Sequence, residues 1–179
     1  MNRPTPSQTV GPFYGYALPF PGGGDIAPPG DGAAITVRGH VYDGAGDPIP
    51  DALLEFWQAD PSGSLTGAPG TLRRDPVTGA VVGRHGVDFT GFGRVATDAD
   101  GHWTLRTLVP GTGYISVCVF ARGLLHHLFT RIYLRPDAFL GSLPPQRGRT
   151  LVATAEREGV YRFDIHLQGE KETVFLDFG

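Results

Sequence analysis

The chain has 179 residues, a formal net charge of −3, 27 Gly, 16 Pro and a single Lys. That length is enough for one domain with a real core. The charge balance, without any Lys/Arg run, argues against nucleic-acid or acidic-membrane binding. Cys118 is the only cysteine, so no intrachain disulfide can form; it reads as a small buried hydrophobe in a reducing compartment. No apolar run approaches membrane-spanning length. Residues 1–8 lack the apolar stretch of a secretory signal. A cytoplasmic protein is expected.

Residues 1–33 are rich in Pro and Gly and read as an extended arm. Its Phe13, Tyr14, Tyr16, Leu18 and Phe20 are too apolar for a free tail, so the arm must lie on its own domain or on a partner subunit. From residue 34 the pattern becomes globular. Ile35, Val37 and Val41 alternate with Thr36, Arg38 and His40, which predicts a first strand; 43–48 is a turn cluster. Residues 53–59 predict a second strand, with Leu54 and Phe56 on one face and Glu55 and Trp57 on the other. Residues 60–91 hold many Gly, Pro and Asp and read as a long excursion. Strands at 93–97 and 103–109 flank Asp98-Ala-Asp-Gly101, a hairpin signal. Two more strands are expected at 115–120 and 128–134, then a loop over 136–148 with room for one helical turn, and a strand at 150–155. Finally, Tyr161, Phe163, Ile165 and Leu167 alternate with Arg162, Asp164 and His166. The turn 169–172 and the run Val174, Leu176, Phe178 complete an expected C-terminal hairpin. Eight to ten short strands at this spacing predict an all-β sandwich.

Residue chemistry alone points to no obvious active site. Two strand residues reach one metal from the same face at an i, i+2 spacing, and no His-x-His occurs among the six histidines. His126 and His127 are adjacent and would point to opposite faces. Tyr14 and Tyr16 have the i, i+2 spacing, and tyrosinate suits ferric iron, yet packing is the default reading of aromatics in such an arm. Gly22-Gly-Gly24 follows no strand and opens no helix, so it is not a phosphate loop. No nucleophile elbow is present. Glu55 and Asp60 could be paired carboxylates, but Asp60 opens a turn and reads as a cap. Arg122, at the end of an apolar strand and just before Gly123, is either a surface arginine at a turn or a guanidinium positioned for a carboxylate or phenolate.

Several ordered segments together resemble the intradiol aromatic-ring dioxygenases. They are Thr5-Pro-Ser-Gln-Thr-Val-Gly-Pro-Phe-Tyr14, Val41-Tyr-Asp-Gly44, Leu54-Glu-Phe-Trp-Gln-Ala-Asp60, and Phe92-Gly-Arg-Val-Ala-Thr97 with Gly101-His-Trp-Thr-Leu105. Phe120-Ala-Arg-Gly123, Thr130-Arg-Ile-Tyr133 and the stretch 161–178 complete the set. The resemblance implies a β-sandwich with an extended N-terminal arm (1–33) that docks on a partner subunit, followed by the sandwich domain (34–179). It implies a homologous iron-binding β-type partner, a higher assembly of α–β protomers, and ring cleavage of protocatechuate by dioxygen. In the iron-binding chains of that family Fe(III) is held by two tyrosinates and two histidines. Here Leu65 takes one Tyr place, Tyr114 is shifted by one from the other, and Tyr114-Ile-Ser116 stands where His-x-His belongs. The resemblance therefore implies an iron-free chain whose Fe(III) cofactor is bound by the partner. It also implies that Thr9, Phe13, Tyr14 and Arg122 line the shared site. The other reading is a non-catalytic β-sandwich binding module that shares only the fold.

Overall fold

The structure, a computed structural model, describes residues 14–68 and 72–178. Its elements begin with α1 (Tyr14–Ala17), β1 (Ile35–Tyr42), β2 (Leu53–Trp57), β3 (Leu72–Arg74), β4 (Val81–Arg84), β5 (Phe92–Ala96) and β6 (His102–Thr107). There follow β7 (Tyr114–Phe120), β8 (Leu128–Tyr133), α2 (Ala138–Ser142), α3 (Pro145–Arg149), β9 (Thr154–Arg157), β10 (Val160–Arg162) and β11 (Ile165–His166).

Two sheets make a β-sandwich. In the first, β1 is central, with antiparallel β6 on one side and β10 and β11, both parallel to β1, on the other; β9 pairs with β10. The second has the order β5-β2-β7-β8 and is antiparallel throughout. Period-two alternation decides which face each strand buries. β1 turns Ile35, Val37 and Val41 inward, β7 turns Ile115, Val117 and Val119 inward, and Leu54, Phe56, Trp103 and Leu105 meet them in one core. The Phe56 and Trp103 rings lie 5.2 Å apart, across the gap between the sheets. Each such side chain contributes about 1.5–3 kcal/mol on burial. Buried Gln58 ties the two sheets at their ends: it donates to the Leu108 carbonyl at 2.9 Å and accepts from Thr107 Oγ1 at 2.8 Å.

Several elements differ from their sequence pattern. The 98–101 turn is closed as expected, with Asp98 N–H donating to His102 O at 3.0 Å, but it is a corner rather than a hairpin. β5 leaves it for β2 and β6 leaves it for β1. Competing bonds separate them: Thr97 N–H donates to Ala52 O at 2.8 Å on one side, and Val41 N–H to Gly101 O at 3.0 Å on the other. The C-terminal stretch turns at 169–172 as expected, with Thr173 N–H donating to His166 O at 3.0 Å, but its two arms form no ladder with one another. Phe163 N–H donates to Arg38 O at 2.8 Å and Leu167 N–H to Tyr42 O at 2.9 Å, so this segment extends the β1 edge. Gly39 allows the crossing, because any Cβ there would strike the Phe163 carbonyl. The tail then passes to the second sheet, where Leu176 N–H donates to Phe129 O at 2.7 Å. The excursion 60–91 contains the small hairpin β3–β4. The loop 136–148 contains two short helices, and the strand expected at 150–155 begins at Thr154.

The described part of the arm opens with one helical turn, α1. Phe20, Ile26 and Ala27 are buried, and Ile26 belongs to the core. Arg94 N–H donates to Gly23 O at 2.9 Å and Arg106 N–H to Gly24 O at 2.8 Å. A side chain at Gly23 would strike the Arg94 carbonyl, so glycine is what lets this stretch lie on the sandwich. No helix among the described residues is long and apolar enough to cross a membrane.

Candidate functional site

The antiparallel pairing of β2 and β7 builds the site. Leu53 stands opposite Phe120, and carrying that register two residues further sets Asp51 opposite Arg122. The Asp51 carboxylate takes the guanidinium side-on: Nη2 donates to Oδ2 at 2.7 Å and Nε to Oδ1 at 3.2 Å. The fork geometry of arginine makes such a two-point contact directional. The Arg122 side chain stays 65% exposed and that of Asp51 43%, so the pair sits at the surface.

Asp51 is held on a rigid base. Its φ of 68° is the one positive value at a non-glycine among the described residues; Asp and Asn tolerate this left-handed region better than most side chains. Buried Thr97 pins the turn, its hydroxyl donating to Ile49 O at 2.8 Å and accepting from Ala52 N–H at 2.9 Å. Helix α1 covers the turn: a Cβ on Gly15 would lie 3.7 Å from Asp51 Cβ, an ordinary packing distance. The end of α1 is fastened in turn, because Arg94, paired with Glu55 at 2.6 Å, also donates to Leu18 O at 3.3 Å.

Tyr14 completes the group. It is 7% exposed, and its hydroxyl is buried with no hydrogen-bond partner among the described residues. Burial, and then the negative charge of Asp51, push its pKa above the usual phenol value, while Arg122 pulls the other way. The phenol stays protonated, an unspent donor beside a carboxylate–guanidinium pair. Hydrogen bonding to Asp51, and then its charge, raise the pKa of Arg122. Two of the four residues expected at the site, Tyr14 and Arg122, are thus brought together. Thr9 and Phe13 lie outside the described residues. Asp51 was missed because its turn offered no motif; only the strand register places it.

The opposite end of β7 carries Tyr114 and Ser116, two of the three positions that the resemblance sets against iron ligands; the third, Leu65, lies in the 60–91 excursion. Leu65 is an exposed aliphatic side chain. Tyr114 is occupied by Arg131, whose guanidinium carbon lies 4.3 Å from the centre of its ring. Arg131 also donates to the Tyr133 hydroxyl at 3.2 Å and lies over Phe139. Ser116 lines a groove of about 410 Å³ on the outer face of the second sheet, with Trp57, Phe92, Cys118, Phe129 and Phe178. Among the described residues no three His, Cys, Asp or Glu side chains converge. One phenol under a guanidinium, a serine and a leucine do not make a donor set for a ferric ion, which needs hard, anionic ligands.

Three of the histidines stand on strands of the first sheet: His40, His102 and His166. His40 and His102 stand directly opposite one another on β1 and β6, and Tyr42 stacks on His166 at 5.0 Å. They lie on the outer face of the first sheet, away from Arg122.

Comparison with known proteins shows the family. The family model described as Dioxygenase matches residues 24–127. The chain is 38% identical to the protocatechuate 3,4-dioxygenase alpha chain of Burkholderia cepacia, with 98% of each chain covered. It is 28% identical to the protocatechuate 3,4-dioxygenase beta chain of the same organism, over 79% of this chain and 67% of that one. Among solved structures, the dioxygenase domain of a dioxygenase–carbohydrate-binding protein fusion from Streptomyces sp. SirexAA-E aligns with a TM-score of 0.57 and 28% identity. That alignment covers 93% of this chain and 99% of that one.

Proposed function

The chain belongs to the intradiol dioxygenase family and is homologous to protocatechuate 3,4-dioxygenase alpha chains, and from that premise we propose that it is the iron-free subunit of such an enzyme. The complex cleaves protocatechuate with O2 to 3-carboxy-cis,cis-muconate in the cytoplasm. A homologous β-type partner binds Fe(III), and the α–β protomers assemble further. The existence of a separate, homologous beta chain among the relatives supports a hetero-oligomer.

The observation that carries the reading is the contrast between two sets of side chains on this chain. The positions corresponding to iron ligands hold Leu65, Tyr114 and Ser116, which suit no ferric ion. The end of β7 instead presents Arg122, a permanently charged donor fixed in orientation and open to a second partner. Protocatechuate has two chemically distinct ends, a catechol that chelates metal and a carboxylate that does not. A subunit without metal can still serve the carboxylate end. Arg122 is then the group that receives it, with Tyr14, Thr9 and Phe13 lining the same side. The arm's first residues dock on the partner, since residues 20–27 are committed to this chain's own sandwich.

Co-expression with a β-type chain tests the proposal. Iron, a tyrosinate-to-iron absorption band and oxygen uptake with protocatechuate are expected only in the co-purified complex. Iron and activity in this chain alone would overturn the iron-free reading. Deleting residues 1–13 should weaken assembly while leaving the sandwich folded; an unchanged complex would count against docking by the arm.

A further inference from the structure

Asp51 has no assigned role. It is far from Arg122 in sequence and reaches it only through the β2–β7 register, yet it occupies a backbone conformation that costs a non-glycine residue energy. A salt bridge at an exposed position contributes little to stability, so stability alone does not account for a strained residue there. What the arrangement does fix is direction. An arginine two residues beyond a strand end, beside Gly123 with open space around it, would otherwise move among many rotamers.

The geometry points to Asp51 as a positioning residue that grips the Nε–Nη2 edge of Arg122 and turns its Nη1 end outward, ready to receive the substrate carboxylate. Among the described residues Nη1 has no partner, while Nε and Nη2 are both spent on Asp51. A guanidinium offers five N–H donors in a rigid plane, so one carboxylate can hold one edge while another docks at the free end. Three features make Asp51 a fixed post: the Thr97 clamp below it, Gly15 of α1 packed against it, and its own left-handed backbone. Asp51 touches no reacting atom, and its effect passes through Arg122. This inference rests on the reading of Arg122 given above.

The test uses the assembled complex with two substrates, protocatechuate and catechol, which lacks the carboxylate. The variants are Asp51→Asn, Asp51→Gly, Arg122→Ala and the double variant Asp51→Asn/Arg122→Ala. Asn tolerates the left-handed backbone and Gly relieves it, so both should fold. Arg122→Ala should raise KM for protocatechuate by about tenfold or more. Each Asp51 variant should raise it about three- to tenfold, leave kcat within about twofold, and leave catechol turnover unchanged. In the Arg122→Ala background the Asp51 change should add nothing, because the two act as a unit. A protocatechuate KM that is unchanged or lowered in the Asp51 variants, while Arg122→Ala raises it, would overturn the role of Asp51 and leave that of Arg122 standing. An equal loss with both substrates, together with a lowered Tm, would show a merely structural turn and overturn it as well. No effect of Arg122→Ala would instead overturn the reading on which the inference rests.

Discussion

Each end of β7 lies near an arginine beside tyrosine, Arg131 of β8 at one end and Arg122, two residues past Phe120, at the other, and the two arginines are used in opposite ways. At the Tyr114 end, Arg131 lies on the Tyr114 ring, reaches the Tyr133 hydroxyl and borders Phe139. Its partners are neutral rings, so its contribution is packing and cation–π attraction within the fold. At the Phe120 end, Arg122 is bound along one edge only, by an aspartate at the surface. One strand therefore has a closed end, where the guanidinium is absorbed by the sandwich, and an open end, where it faces outward. The two arginines differ in use because their spatial neighbours, not the residue itself, decide what a charge does.

The sharpest way to break the comparison is to remove the buried ring at the closed end. Tyr133 is fully buried, and Tyr133→Ala should cost about 3–5 kcal/mol in urea unfolding. A cost below 1 kcal/mol would mean that this end is not packed as described. Midway along β7, burial, and then the charge of Glu55, push the Cys118 thiol up to about 12. Since the thiolate is the reactive form, alkylation at pH 8 should be about a hundredfold or more slower in the folded chain than in urea. Comparable rates would show that the groove is more open than this geometry allows. Arg131→Ala should lower stability by about 1–2 kcal/mol, whereas Arg122→Ala should leave Tm within about 2 °C of the parent. Equal losses at both ends would erase the distinction.

The smallest effect concerns pH and the first sheet. Burial, opposed by Asp164 and aided by Lys171, holds the His166 pKa below its ordinary value. The unfolded chain then takes up this proton at a higher pH than the folded one. Stability is therefore present above the unfolded value and is lost as pH falls through the folded value. Asp60, Asp75 and Asp98, each lowered by hydrogen bonds, have the same sign further into acid. Tm should drop between pH 7.5 and 5.5, by about 1 °C less in His166→Asn than in the parent; an identical drop would rule out a contribution from His166.

Much of the fold was legible because strand alternation is local. The patterns at Ile35–Tyr42 and around Leu54 and Phe56 predicted both the strands and their buried faces. The turn at 98–101 was equally legible as a turn, but whether it closes a hairpin or rounds a corner depends on Ala52 and Val41, which are distant in sequence. The hairpin β3–β4 went unseen because its strands are short and largely exposed. At the site, Arg122 stood out as a charge ending an apolar strand. Tyr14 drew notice through its spacing from Tyr16, the apolarity of the arm and its motif, and Asp51 not at all.

What the sequence determined by itself was the set of available parts: alternating strands, turns where Gly and Asp cluster, a core large enough for one domain, no His-x-His, and an arginine before Gly123. These follow from residue chemistry and from periodicities of a few residues. Only the tertiary structure decided which parts meet. Strand register joined Asp51 to Arg122 across 71 positions, and the packing of α1 placed the Tyr14 hydroxyl beside them. The physical reason is that hydrogen-bonded pairing and burial are satisfied by partners wherever they lie along the chain, and a partner's identity is not written in its own neighbourhood.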